Sequence, residues 1–211
     1  MNNEQIEIIQ NYFKIKLSSD SISKLQKFEE LFLEYNSHTN LMSKGDLNLL
    51  FEKHIFDSFA LFLFNEYKSY KKILDIGAGG GFPSLILAIV LPEINFIALD
   101  SVNKKTNFMN IVKSKLNLDN LDVINSRAEN LSSLNVDLII SRAVGRISYV
   151  FEVSKKHLKS NGKYIFWKAD EKLIQEELAE FQSKFKKKIA QKIIPYNLPT
   201  EEKHSRNLVI F

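Results

Sequence analysis

Two spacings of apolar residues divide the chain. From Ser21, apolar side chains recur at Ile22, Leu25, Phe28, Leu31, Phe32 and Tyr35, three or four residues apart, as on one buried stripe of an α-helix. The same spacing returns at Leu47, Leu50, Phe51, Ile55, Phe59, Phe62 and Leu63, with His54 and Ser58 on the same stripe. A second helix is expected there, with Asp46 as its N-cap. Between the two, residues 38–46 (HTNLMSKGD) hold the only glycine of the first 70 residues and read as a loop. Residues 1–70 are thus expected to form a helical N-terminal extension.

After residue 70 the runs shorten to strand length. Strands are predicted at 71–76, 94–100, 121–125, 136–141 and 163–168, followed by a late pair at 187–194 and 207–211. Helices are predicted at 83–91, 103–116, 147–158 and 171–185. Strands separated by helices form right-handed crossovers, so the sheet should be mostly parallel and covered on both faces. No helix separates the late pair, only a loop with Pro195, Pro199 and two glutamates, which implies an antiparallel hairpin at one edge. Residues 71–211 are read as one α/β domain with a seven-stranded sheet.

Composition removes several chemistries. The 211 residues include no cysteine, which excludes disulfides, thiolate zinc sites and cysteine nucleophiles. The four histidines (His38, His54, His157, His204) are scattered without ligand spacing, so no metal is expected. No apolar run approaches the ~18 residues of a membrane span. The start, MNNEQIEIIQ, lacks a secretory pattern, and a cytoplasmic protein is expected. The net charge of +4 is unevenly spread. Residues 1–70 carry 7 Lys/Arg against 10 Asp/Glu, and residues 71–211 carry 22 against 15. The basic part suits a polyanion partner, although a lysine-rich solvated surface gives the same count.

The sharpest motif is Asp75-Ile76-Gly77-Ala78-Gly79-Gly80-Gly81-Phe82-Pro83, where an apolar strand runs through an acid into a glycine turn and then a helix. A dinucleotide fingerprint, G-x-G-x-x-G, would put its third glycine where Phe82 stands. The spacing here is G-x-G-x-G (Gly77, Gly79, Gly81), which resembles the first motif of the Rossmann-like S-adenosylmethionine-dependent methyltransferases. Asp100 ends the next strand, where an acid accepts from ribose hydroxyls in either cofactor class. Ser126-Arg127-Ala128-Glu129 follows the third strand, where such methyltransferases frame the adenine.

Absent motifs narrow the methyl acceptor. Carbon-5 of a pyrimidine needs a covalent nucleophile, usually cysteine, and there is none. Exocyclic amines commonly use an acid- or serine-Pro-Pro-aromatic loop after the fourth strand, where this chain reads Ser141-Arg142-Ala143-Val144. A ring nitrogen or a ribose hydroxyl remains.

A wider set of residues resembles the bacterial 16S ribosomal RNA guanine-N7 methyltransferases, the glucose-inhibited division protein B family. The set comprises Asn40-Leu41-x-Ser43, His54-x-x-Asp57-Ser58, the glycine turn through Pro83, and Leu99-Asp100-Ser101 with Lys104-Lys105. It continues with Ser126 to Glu129, Ile140 to Ala143, and Arg206-Asn207-Leu208-Val209-Ile210. The resemblance implies a class I methyltransferase fold, S-adenosylmethionine as cofactor, and small-subunit RNA or the subunit itself as partner, and a monomer without metal is expected. It also implies cofactor contacts at Gly77, Phe82, Ala128, Glu129 and Arg142. One departure is Trp167-Lys168-Ala169, where the family has glycine after the lysine. A small-molecule or protein methyltransferase, or a non-catalytic ribosome-assembly factor, would share much of this pattern.

Individual side chains carry competing expectations. Arg142, at the end of the fourth strand, is expected either to shape the methyl pocket or to pair with an acid such as Asp75 or Asp100. His54 and Asp57 share a helix face, and a buried, hydrogen-bonded histidine is the preferred reading over a catalytic pair. Lys104, Lys105, Arg127, Arg146, Lys168 and Arg206 are candidates for neutralising RNA phosphates. Phe82 and Trp167 are candidate stacking surfaces or core. The lysine-rich stretch 184–192 reads as a charge-guarded edge strand.

Overall fold

The apolar runs after residue 70 alternate between two buried faces, and this alternation builds the molecule. A computed structural model describes residues 1–186, 191–200 and 204–211. Its sheet contains β1 (Lys72–Ile76), β2 (Asn95–Asp100), β3 (Leu121–Asn125), β4 (Val136–Arg142), β5 (Leu158–Lys168), β6 (Lys192–Asn197) and β7 (Ser205–Ile210). The order is β3-β2-β1-β4-β5-β7-β6. Strands β1 to β5 are mutually parallel, whereas β7 runs antiparallel to both β5 and β6. This is the α/β arrangement expected, with the late hairpin at the edge. The observed β6 begins at Lys192; residues 187–190 of the predicted strand lie outside the described residues, and 184–186 close the preceding helix rather than continuing an edge strand.

Alternate residues of each strand enter different cores. On one face Ile73, Phe96, Leu138, Ile165 and Leu208 pack under α4 (Ser84–Val90) and α5 (Asn103–Leu116). On the other, Leu74, Ile97, Ile139, Phe166 and Val209 pack under α6 (Ile147–Ser154) and α7 (Glu171–Phe185). Burial on both faces explains why the parallel strands read as continuous apolar runs.

The first face is completed by the N-terminal residues. Helix α1 (Asn3–Phe13) starts at a capping box formed by Asn2 and Gln5, and α2 (Ser19–Thr39) is capped by Ser18. The α2 stripe Leu25, Phe28 and Phe32 is fully buried in the same core as Phe96 and Phe108. Phe28 and Phe32 also meet Phe82, at 5.5 and 5.4 Å between ring centres. The first 70 residues and the sheet therefore share one hydrophobic core.

The second predicted helix differs from expectation. Ser43, not Asp46, caps the single turn α3 (Lys44–Leu47). A π-helical turn follows at Phe51–Phe56, then 3-10 turns at Phe59–Leu63 and Asn65–Ser69. Phe51, Ile55, Phe56, Phe59, Ala60, Leu61 and Phe64 are all buried, so apolar side chains encircle this segment. One regular helical stripe could not bury them together, and the backbone winds unevenly to do so. The predicted helix at 147–158 likewise ends at Ser154, and a 3-10 turn leads into β5.

Candidate functional site

The parallel order reverses between β1 and β4, which both neighbour each other and send their crossovers to opposite sides. The carboxyl ends of strands at such a switch point form a crevice. The glycine turn sits there. Gly77, Gly79 and Gly81 have φ of +73°, +59° and +95°, a region that side chains disfavour. The amides of Gly77 and Ala78 both donate to the Leu99 carbonyl, tying the turn to the end of β2. Asp100 completes the tie: its Oδ2 accepts from Gly79 N at 2.9 Å and its Oδ1 from Val102 N at 2.9 Å.

Gly77, Leu99, Asp100 and Val102 line a cleft of about 270 Å³ that also takes in Lys105, Arg127, Ala128, Glu129, Val144 and Tyr149, whereas Gly79 and Gly81 shape the turn without lining it. Gly77, Asp100, Ala128 and Glu129, singled out in the sequence, are thus brought together. Val102 and Tyr149 line it as well, although they are large apolar residues left 39% and 45% exposed, surface that a bound ligand would cover. Ala128 is fixed from behind by His157, a residue that no motif or spacing singles out. This fully buried ring accepts from Leu134 N at Nδ1 (3.3 Å) and donates from Nε2 to the Ala128 carbonyl (3.0 Å).

Asp75 lies beneath the turn rather than in the cleft. It is fully buried, and its Oδ2 accepts from Ser84 N at the start of α4 (3.2 Å) while Oδ1 has no partner. Burial pushes this carboxyl up to about 7, against the opposing effects of Ser84 hydrogen bonding and the Arg142 charge. The folded chain therefore holds the Asp75 proton more tightly than the unfolded chain does. The stability this gives is complete below the ordinary carboxylate range and is lost as pH rises through about 7. Asp75→Asn is expected to be more stable than wild type by a few kcal/mol at pH 8 and to lose most of that advantage at pH 4. Urea melts at the two values check this; an advantage independent of pH would contradict it.

A second cleft, of about 410 Å³, opens beside the first, and Ala143 lines both. Arg142 is at its wall, paired with neither Asp75 nor Asp100. Its Nη1 donates to the Lys53 carbonyl (2.9 Å) and to Asp57 Oδ2 (3.1 Å), and its Nη2 lies 2.9 Å from His54 Nδ1. Below it the Phe82 ring centre is 5.4 Å away. Asp57 is also held by the Tyr196 hydroxyl at 2.5 Å, and its carbonyl accepts from the Trp167 indole at 2.9 Å. Side chains from β4, β5 and β6 thus meet at Asp57 of the N-terminal segment.

Since Arg142 can only donate, His54 Nδ1 accepts, which leaves the ring proton on Nε2, a buried atom without a partner. Burial and the Arg142 charge lower His54 to about 3, so the ring is neutral at physiological pH. The buried, hydrogen-bonded reading of His54 describes this arrangement.

Other sequence candidates are placed elsewhere. The Phe82 and Trp167 side chains are each only 4% exposed and belong to the core, so neither offers a stacking face. Lys104 Nζ donates to the carbonyls of Thr39 and Asn40 beyond α2, where the helix leaves acceptors unsatisfied; it acts as a cap and is not a free cation. Arg146 pairs with Glu180 at 2.6 Å, and Lys168 with buried Glu177 at 2.7 Å. Lys105 approaches Asp100 at 3.8 Å, and exposed Arg127 stands 3.9 Å from Glu129. Arg206 lines the second cleft. Among the described residues, no helix is long and apolar enough to cross a membrane, and no group of three or more His, Asp or Glu is arranged to hold a metal ion.

A seven-stranded sheet of this order, with a glycine turn after β1 and an acid after β2, defines a class I Rossmann-like methyltransferase, and the cofactor is S-adenosylmethionine. The backbone cradle fits it: a Cβ on Gly77 would stand 2.2 Å from Val144 Cγ2, while the space beside Gly79 is open. Solved structures share the fold. The O-methyltransferase from Bacillus cereus in complex with SAH matches with a TM-score of 0.57 at 16% identity, over 87% of this chain and 90% of that one. The tRNA (m1A58) methyltransferase TrmI from Aquifex aeolicus matches with a TM-score of 0.54 at 17% identity, over 73% and 66%. The family model described as rRNA small subunit methyltransferase G matches residues 21–209, and the chain belongs to this family. The ribosomal RNA small subunit methyltransferase G of Lactococcus lactis subsp. cremoris is 35% identical over 206 residues, covering 91% of this chain and 84% of that protein. The Fusobacterium nucleatum protein of the same name is 42% identical over 158 residues, covering 72% and 67%.

Proposed function

We propose that this chain transfers a methyl group from S-adenosylmethionine to N7 of a guanine in 16S ribosomal RNA, acting as a monomer in the cytoplasm. Family membership supports the RNA substrate. The observation that carries the site assignment is the junction at Ala143, where the glycine-turn cleft opens onto the cleft walled by Arg142. Residues 71–211 would hold the cofactor, and residues 1–70 would contribute the second cleft's outer wall through Lys53, His54 and Asp57.

When bound, the cofactor would supply a methyl group on a sulfonium sulfur, which N7 would take while the carbon–sulfur electron pair stays with sulfur. The residues serve to bind and align. Backbone at Gly77, Gly79 and Gly81 would allow close approach, Asp100 would accept from the ribose hydroxyls with the lone pairs left free by its bonds to Gly79 N and Val102 N, and Ala128 with Glu129 would frame the adenine. Arg142 would contact the cofactor or the target base at the junction. Lys105 and Arg127, at the mouth of the first cleft, would face the RNA backbone.

The state of the second cleft favours a ring nitrogen over a ribose hydroxyl. A hydroxyl must lose a proton, whereas N7 carries none. Beside Arg142, His54 Nδ1 and the Asp57 carboxylate are already engaged, and His54 takes up a proton only near pH 3. The decisive experiment maps methylated nucleotides by mass spectrometry on small-subunit RNA from cells with and without the chain. A 7-methylguanine lost with the chain is expected; an unchanged map refutes the assignment. In vitro, Arg142→Ala is expected to lower labelled methyl transfer about hundredfold, roughly 2.7 kcal/mol of barrier, and undiminished transfer would remove Arg142 from the site.

A further inference from the structure

The charges of the second cleft do not balance. Four of its lining residues are cationic, and two of those are neutralised internally: Arg142 by Asp57, at 3.1 Å, and Lys168 by Glu177, at 2.7 Å. Lys53 and Arg206 remain. Among the described residues, neither has a carboxylate within ion-pair distance, and the contact found for the Arg206 side chain is a long 3.4 Å bond to the carbonyl of its neighbour Ser205. Against these two cations the cleft offers the carboxylate of Asp46, which accepts from the Ser43 hydroxyl at the start of α3. Lys53 and Arg206 line the same cleft as His54.

These two cations come from opposite ends of the chain. Lys53 is carried by the π-helical turn, whose carbonyl at the same residue is anchored by Arg142, so its position is tied to the junction. Arg206, the second residue of β7, is in register with Tyr196 of β6, the residue whose hydroxyl holds Asp57. Between them the floor of the cleft reaches Ala143, a non-glycine residue at φ +57°. Such a conformation costs on the order of 1–3 kcal/mol and persists where the surroundings impose it, commonly at a site.

We propose that the second cleft receives the acceptor nucleotide of an RNA strand, with Lys53 and Arg206 each contacting a phosphate of that strand beside it. The inference rests on the reading of the chain as an RNA methyltransferase and adds where the acceptor sits and what grips it. An RNA strand suits the site because the base would stand at the Ala143 junction while its flanking phosphates meet the unpaired cations. The N-terminal segment, net acidic in sequence, supplies one of those cations.

The test uses the full-length chain and small-subunit RNA purified from cells that lack it. Affinity is measured by filter binding across a salt series for wild type, Lys53→Gln/Arg206→Gln and a control, Lys115→Gln, on the exposed end of α5. Each phosphate contact to a single strand contributes about 0.7 to the log–log salt slope, so the double variant should lose about 1.4. The control should lose nothing, and the affinity of the double variant for S-adenosylhomocysteine should match that of wild type. An unchanged slope in the double variant, with labelled methyl transfer by wild type intact, overturns this inference alone. Absence of methyl transfer to the RNA by wild type would instead overturn the functional reading beneath it. Loss of S-adenosylhomocysteine binding in the double variant would mean that the cations support the fold, and would also overturn the inference.

Discussion

Gly77→Ala is expected to weaken S-adenosylhomocysteine binding about hundredfold, the equivalent of roughly 2.7 kcal/mol. Two costs combine at this residue. Its φ of +73° places any side chain in the left-handed region, at ~1–2 kcal/mol. The added Cβ would also stand 2.2 Å from Val144 Cγ2, far inside contact distance. Val144 lines the cofactor cleft, so relief of the clash either pushes Val144 into the ligand's space or pulls the turn away from it. Gly79→Ala separates the two costs. Its φ is also positive, but the nearest protein atom to a new Cβ is 3.9 Å away. That variant should lose only about 1 kcal/mol of stability to strain. Any larger loss of affinity would come from the ligand lying against the backbone there. Calorimetric titration of both variants decides the matter, and wild-type affinity in Gly77→Ala would show that the turn does not hold the cofactor.

Asp57→Ala is expected to cost ~3–5 kcal/mol of stability and to abolish methyl transfer. The carboxylate is 4% exposed and serves two partners, Arg142 at 3.1 Å and the buried Tyr196 hydroxyl at 2.5 Å. Removing it leaves a largely buried guanidinium without its counter-ion and a phenol without its acceptor. Burial, the main cause that holds the Tyr196 phenol well above its ordinary range, persists when Asp57 is removed, so the phenol does not compensate by ionising. Asp57→Asn keeps one acceptor and should be milder. Trp167, the only tryptophan, donates its indole N–H to the Asp57 carbonyl, so its emission reports on this contact during urea unfolding. Wild-type stability in Asp57→Ala would show that the guanidinium cluster does not organise the junction.

Much of the sheet was legible because β1, β2 and β4 are short and buried on both faces, and β1 and β2 run into Gly77 and Asp100. The cofactor cleft was legible for a related reason. Gly77, Asp100, Ala128 and Glu129 sit at strand ends, and strand ends at a switch point must converge. The second cleft was not legible. Its walls come from residues 46–57, 142–143, 167–169 and 206, which no sequence spacing connects. The stripe through Leu47 and Phe59 also suggested a regular helix, because periodicity reports which residues are apolar and not how many faces are buried. Phe82 and Trp167 were open to misreading as stacking surfaces for the same reason, since an aromatic residue does not announce whether a ligand or a neighbour covers it.

The amino-acid sequence by itself determined the α/β class, the glycine turn, and the acid that ends β2 beside that turn. These are local properties of strand period, left-handed backbone and strand-end chemistry. Only the tertiary structure decided that Arg142 pairs with Asp57, that Lys104 caps carbonyls, and that Lys53 and Arg206 line one cleft with no ion-pair partner among the described residues. Ion pairing depends on which side chains come within a few ångströms, and here those distances are set by packing residues 1–70 onto the sheet.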